Sequence, residues 1–214
     1  MTSGVYFFLI LLALGIIVAL LWRLASRRCA IPCPVWMSGL LDTPFTHGIS
    51  ARTQKTIQRL NLREGMNVLD AGCGPGRLTI PVAQATGPRG NVTGMDIQDG
   101  MLGMAEERAR TASLTNIVFL KAGPGDGRLE DNFYDRALMV TVLGEIPDRE
   151  AALREIYRAL RPGGLLLVEE TIRDPHFQTR GTVIRLAGAA GFVKKDLFGN
   201  RFSYTMTLEK PPAA

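Results

Sequence analysis

The chain has 214 residues, 25 of them Lys or Arg and 20 Asp or Glu, and is 46% hydrophobic, which excludes a disordered tail or a fibrous repeat. Residues 1–63 carry seven basic groups and one acid, and residues 64–214 carry 18 basic and 19 acidic groups. The main body is therefore near neutral, and neither a nucleic-acid-binding surface nor a second catalytic domain is expected.

From Gly4 to Trp22 the chain carries no charge, and a helix of that length reaches about 28 Å, close to one hydrocarbon thickness. The leader before it is uncharged, and Arg23, Arg27 and Arg28 follow it. A cleavable signal would place the charge in front, so residues 1–28 read as a retained single-pass anchor with a basic flank. The positive-inside rule holds the remainder of the chain in the cytoplasm. Three cysteines, Cys29, Cys33 and Cys73, have unrelated spacings and imply neither a disulfide framework nor a metal site.

Residues 29–48 form a juxtamembrane linker interrupted by Pro32, Pro34 and Pro44, with Val35, Trp36, Met37, Leu40 and Leu41 as an apolar cluster. That cluster suits either the lipid interface or a lid on the domain behind it. The domain occupies residues 49–214. A helix is expected from a Ser50 cap to about Asn61, with Ile57 and Leu60 on one face and Arg52, Lys55, Arg59 and Arg63 mostly on others.

Beyond Gly65, short apolar runs (MNVLDAG, NVTGMD, NIVFL, DRALMVTVL, GLLLVEE) alternate with helical stretches at 77–86, 99–113 and 148–160. This alternation predicts an α/β fold, a parallel sheet with helices on both faces, whose ligands bind at the carboxyl ends of the strands. The chain ends in GFVKKDLFGNRFSYTMTLEKP, two strand-like runs joined by a Gly-Asn turn, which predicts an antiparallel edge hairpin.

The first strand leads into Asp70-Ala71-Gly72-Cys73-Gly74-Pro75-Gly76-Arg77. Glycines there allow a sharp turn and close approach of a ligand. The dinucleotide fingerprint would need glycine at 77, and an acid at 70 suits a cationic amino-acid group better than a pyrophosphate. The second strand ends at Asp96, positioned to accept from ribose hydroxyls.

VLDAGCGPG, Asp96, FYDRALMVTVLGEIPD and LRPGGLLLVEE, in that order, resemble the motifs of class I S-adenosylmethionine-dependent methyltransferases. The resemblance runs from about Ile49 to Pro211 and is strongest to the small bacterial branch similar to the ubiquinone and menaquinone C-methyltransferases. It implies a Rossmann-like seven-stranded sheet with the last strand antiparallel, preceded here by one transmembrane helix. It implies S-adenosylmethionine as cofactor, its methionine part held by Asp70, Gly72, Cys73, Gly74 and Gly76, and its ribose and adenine by Asp96 and Ile97. Met101, Gly123 and Thr141 complete that half of the site. The family pattern departs after the third strand, where Ala122-Gly123-Pro124 replaces Gly-Asp-Ala and Asp126 is the nearest substitute.

Methyl transfer from a sulfonium requires in-line alignment away from water, and a base where the acceptor is a phenol, a carbon acid or a protonated amine. Glu145, after the fourth strand, and His176, after the fifth, are the catalytic candidates, with His47 a weaker one. An Asn-Pro-Pro-Tyr type motif, used on exocyclic amines of nucleic acids, is replaced by Thr141-Val142-Leu143-Gly144. The anchor favours a small lipid-soluble acceptor, either a quinone or isoprenoid precursor or a phospholipid amine. Two other readings are a non-catalytic S-adenosylmethionine-binding membrane protein and a nicotinamide-dependent oxidoreductase, the latter disfavoured by Arg77.

Overall fold

The computed structural model describes residues 2–29, 32–35 and 51–212. The expectations placed on Trp36, Met37, Leu40, Leu41, His47 and the Ser50 cap lie outside these residues. Helix α1 spans Thr2–Cys29. Its segment Gly4–Ala25 is long and apolar enough to cross a membrane and is not buried against the rest of the chain, as expected of a helix with no polar stripe.

Helix α2 (Ala51–Leu60) buries Thr53, Thr56 and Leu60 and leaves Ile57 half-buried. The inward face is thus more polar than Ile57 and Leu60 alone suggest. The reason is a partner below it: Thr56 Oγ1 donates to Glu169 Oε2 at 2.8 Å, so a buried hydroxyl and a buried carboxylate satisfy each other.

Strands β1 (Asn67–Ala71), β2 (Asn91–Asp96), β3 (Ile117–Lys121), β4 (Tyr134–Val140) and β5 (Leu160–Thr171) alternate with helices α3 (Thr79–Thr86), α4 (Asp99–Thr111) and α5 (Arg149–Ala159). Helix α6 (Arg180–Ala189) then leads into β6 (Val193–Asn200) and β7 (Ser203–Glu209). The seven strands are ordered β3-β2-β1-β4-β5-β7-β6. β7 runs antiparallel to β5 and β6, and the other pairings are parallel. One face of the sheet buries Leu69, Met95, Met139, Leu153, Ile156, Leu166 and Met206; the other buries Leu60, Val68, Val82, Val92, Leu138 and Leu167. At about 1.5–3 kcal/mol for each large side chain removed from water, these two layers dominate the fold's stabilisation.

Three local departures from the sequence reading have clear causes. The apolar run DRALMVTVL ends as a strand at Val140, because Thr141 takes φ +57° and turns the chain into a short 3₁₀ segment, Leu143–Glu145. The helix expected to reach residue 160 stops at Ala159, since Leu160 already pairs with Tyr134 in β4. The hairpin loop is Arg201-Phe202, between the paired Asn200 and Ser203, with Gly-Asn immediately before it. Asn200 Oδ1 accepts from the amides of Phe202 and Ser203 at 2.9 and 3.1 Å, so the asparagine shapes the turn from its first flank.

β1 lies between β2 and β4, so the strand order reverses there. The crevice at the carboxyl ends of β1 and β4 is where such a sheet binds ligands.

Candidate active site

A cavity of ≈ 780 Å³ opens at that crevice, bounded by Asp70, Gly72, Cys73, Gly74, Asp96, Ile97, Met101, Gly123, Thr141, Glu145 and His176 among others. Residues from five strand ends thus meet in a single space of the size that holds a cofactor together with a small acceptor. Gly76 is not in its wall. Its φ is +82°, and a Cβ there would come within 3.0 Å of Ala105 Cβ, so this glycine seats the loop against α4.

The loop after β1 is held by its own backbone. The amides of Gly72 and Cys73 both donate to Met95 O, at 2.8 and 2.9 Å. Gly72 takes φ +78°, and a Cβ there would come within 2.5 Å of Val142, so only glycine fits. Asp96 Oδ2 accepts from the Gly74 amide at 2.9 Å, and Oδ1 from the Gln98 amide at 2.9 Å. Asp96 therefore links the two loops, and each oxygen keeps a second lone pair.

Asp70 is buried, and its Oδ2 accepts from Thr79 Oγ1 at 2.7 Å. Burial pushes its carboxyl up to about 6, against the pull of Thr79 and Arg77. Burial first, then the charges of Asp70 and Asp96, push the Cys73 thiol far up, so that it stays protonated. Gly123 donates its amide to Asp126 Oδ2 at 2.7 Å, which commits part of that carboxylate to its own loop. The same loop is tied down by buried Glu155, which accepts from the amides of Gly125 and Leu129.

The other end of the cavity is assembled from three separate stretches. Glu145 lies in the 3₁₀ segment, whose carbonyls at Leu143 and Gly144 accept from Arg149 at 3.1 and 3.0 Å. His176 lies directly above: a Cβ at Gly144 would fall 1.9 Å from His176 O. His176 is 5% exposed. Its Nδ1 is 3.7 Å from Glu145 Oε1 and 3.6 Å from Asp174 Oδ1, and its amide donates to Asp174 Oδ1 at 2.6 Å. The three side chains hold donor atoms within 4.8 Å of one another, close enough to share a proton or a cation.

Burial, and after it the charge of Asp174, pushes Glu145 up to about 8. Burial also raises Asp174, opposed by the amide and imidazole of His176. Pro32, Cys33 and Pro34 close this end from the side of α1, and Gln98 Nε2 donates to Cys33 O at 2.9 Å. This part of the linker is a wall of the site.

Sequence reasoning did not single out Asp174, Glu169 or the 32–34 wall. Asp174 was within reach, because Asp-Pro-His two residues before His176 is a turn signal at a strand end. Cys33 carries no such local signal, since its placement depends on long-range packing.

Comparison with known proteins agrees with this architecture. A demethylmenaquinone methyltransferase of Listeria welshimeri is 34% identical over 118 residues, covering 55% of this chain and 50% of its own length. The chain thus spans about half the length of that curated relative. A structure of a SAM-dependent methyltransferase from Aquifex aeolicus superposes with a TM-score of 0.74 at 22% identity, over 83% of this chain and 98% of that one. The cyclase SpnF superposes with a TM-score of 0.67 at 20% identity, over 76% of this chain and 80% of that one. The fold alone therefore does not decide the reaction. The ubiE/COQ5 methyltransferase family matches residues 46–181, more than half of the sequence, and the chain belongs to that family.

Proposed function

We propose that this chain is a membrane-tethered S-adenosylmethionine-dependent methyltransferase that methylates a ring carbon of a lipid-soluble quinol. One observation carries the reading: the glycine loop with Asp70 and Asp96, and the Glu145–Asp174–His176 cluster, line the same cavity. The cofactor fits its end chemically. The loop leaves no room for a Cβ at Gly72, and Asp70 is a buried carboxylate suited to the ammonium of a methionine moiety. Asp96 keeps lone pairs for two ribose hydroxyls. Ile97 and the Gly123 loop border the adenine.

When bound, S-adenosylmethionine supplies an electrophilic methyl on a sulfonium. The residues of the chain hold the acceptor ring in line with it and exclude water. Glu145 takes the proton of the acceptor hydroxyl, which raises electron density at the ring carbon. A carboxyl pushed up to about 8 is a far stronger base than an ordinary one and is matched to this task near neutral pH. Asp174 and His176 orient Glu145, and the Pro32–Pro34 wall shields it. The ring proton that the methyl replaces leaves to solvent, and Glu145 returns its proton to the product oxygen.

A quinol is favoured over a phospholipid amine by family membership and by the activity named for the Listeria relative. Helix α1 is assigned as a single membrane span with the domain in the cytoplasm, supported by its apolar length and by Arg23, Arg27 and Arg28 after it. The test is to incubate membranes containing the full-length chain with methyl-labelled cofactor and partition the label. Enzyme-dependent label in the organic phase, absent from an Asp70→Ala/Asp96→Ala control, is expected. Label confined to the aqueous or protein fraction discards the acceptor class, and cofactor binding without any transfer replaces catalysis with a binding role.

A further inference from the structure

The apolar helix and the domain touch at one described hydrogen bond, and it falls beside the mouth of the cavity. Arg23, near the end of α1, donates from Nη1 to Ile172 O at 2.7 Å. The Ile172 amide in turn donates to Phe202 O at 2.7 Å, which fastens the end of β5 to the β6–β7 hairpin loop. Thr171 and Arg173, on either side of Ile172, line the cavity.

The surface at this junction has an unusual composition for a solvent-facing one. Ile172 is 41% exposed and Phe202 46% exposed. The Arg201 guanidinium lies 4.6 Å from the centre of the Phe202 ring, and the Arg59 guanidinium 4.5 Å from that of Phe198, itself 39% exposed. Arg173 is also exposed. The nearby carboxylates on these strands are engaged: Asp174 accepts from the His176 amide, and Asp196 from Thr207 Oγ1. Apolar side chains interleaved with arginines match the interfacial zone of a bilayer whose headgroups are anionic.

We infer that Ile172, Arg201 and Phe202 form a second membrane contact, beyond α1, which seats the mouth of the cavity on an anionic bilayer surface. The inference rests on α1 as a membrane span. A span from Gly4 to Ala25 leaves Arg23 at headgroup depth, where arginine places its charge. The bond to Ile172 then sets the height of the hairpin loop above the lipid. A ring headgroup carried on a lipid tail reaches Glu145 past Thr171 and Pro34 without its tail leaving the membrane.

The test uses the full-length chain in vesicles of phosphatidylcholine with or without phosphatidylglycerol. A photo-reactive benzoylphenylalanine replaces Phe202, or Val193 at the opposite end of the hairpin as a control. Lipid adducts at 202, enriched with phosphatidylglycerol and absent at 193, are expected. The R201Q/F202S double variant should raise KM for a long-tailed, membrane-dissolved acceptor about tenfold, two lost contacts of this kind being of that order. Its KM for a short-tailed soluble acceptor should not change. A chain retained in alkaline-washed vesicles but giving no lipid adduct at 202, or giving adducts to another protein there, overturns the docking surface alone. A chain released by the alkaline wash overturns the span and the docking surface together.

Discussion

On the side proposed for the cofactor, the chain uses residues 70–75, 96–101 and the loop at Gly123, short stretches whose backbone turns and amides do the shaping. On the side proposed for the acceptor it gathers residues 32–34, 141–147 and 169–176, and partly buried side-chain carboxylates do the shaping. The first arrangement is stiff and needs only glycines and two acids in one local pattern. The second holds Glu145 and Asp174 at a cost in desolvation, and this raises the proton affinity of Glu145. In the proposed function one part of the cavity binds and the other reacts, so substitutions should separate them.

The largest separation is expected at Glu145. In the E145Q variant, kcat should fall about 10²- to 10⁴-fold, the range for a lost general base, with cofactor affinity unchanged by calorimetry. Wild-type kcat should rise with pH as Glu145 ionises, up to about 8, and the variant should lose that dependence. If E145Q loses cofactor binding instead, the division between the two ends is misplaced. At the cofactor end, Asp96→Asn should weaken S-adenosylmethionine binding by about 10- to 100-fold, because the charge-assisted bonds it offers become neutral ones. The acceptor's KM, measured at saturating cofactor, should stay near wild type.

A pair of glycine substitutions sharpens the comparison. Gly144→Ala drives a Cβ into His176 O, at 1.9 Å, and should disable turnover while sparing cofactor affinity. Gly72→Ala, with φ +78° and Val142 at 2.5 Å, should do the reverse. Each should cost about 1–3 kcal/mol of stability, seen as a lowered Tm.

A further effect concerns pH and folding. Asp70 is raised from 3.8 to about 6 in the folded chain, so between those values the folded state binds more protons than the unfolded one. Unliganded stability should therefore fall as pH rises through this window, by on the order of 3 kcal/mol from this group. Glu170, also buried and pushed up to about 8, extends the decline. A cationic ligand favours ionised Asp70, so the Tm gain from saturating cofactor should be larger at pH 8 than at pH 5. An equal gain at both would remove Asp70 from contact with the ligand's positive charge.

What the amino-acid sequence disclosed follows the same division. The β1 loop and Asp96 were legible because their arrangement rests on backbone conformation, which Gly72, Gly74 and an acid at a strand end announce locally. The seven strands and the antiparallel β7 came with the resemblance those motifs carry. Glu145 and His176 were visible as candidates by position after β4 and β5, but their meeting was not. It depends on Gly144 letting the His176 backbone descend onto the 3₁₀ segment, a contact across 32 residues of chain. The wall at Cys33 and the bond from Arg23 to Ile172 were likewise invisible, because long-range packing leaves no periodic trace. Thr53 and Thr56 gave no burial signal for a related reason: a threonine's burial is not evident until its partner, here Glu169 for Thr56, is known.

The most direct test of the account is transfer of a trideuteromethyl group from labelled S-adenosylmethionine to a demethylated menaquinol. The full-length protein and the quinol share lipid nanodiscs, and the product is read by mass spectrometry. The account predicts one trideuteromethyl on a ring carbon with wild type, and none with E145Q although E145Q still binds the cofactor. Label on a ring oxygen, on a phospholipid amine, or undiminished in E145Q would contradict it.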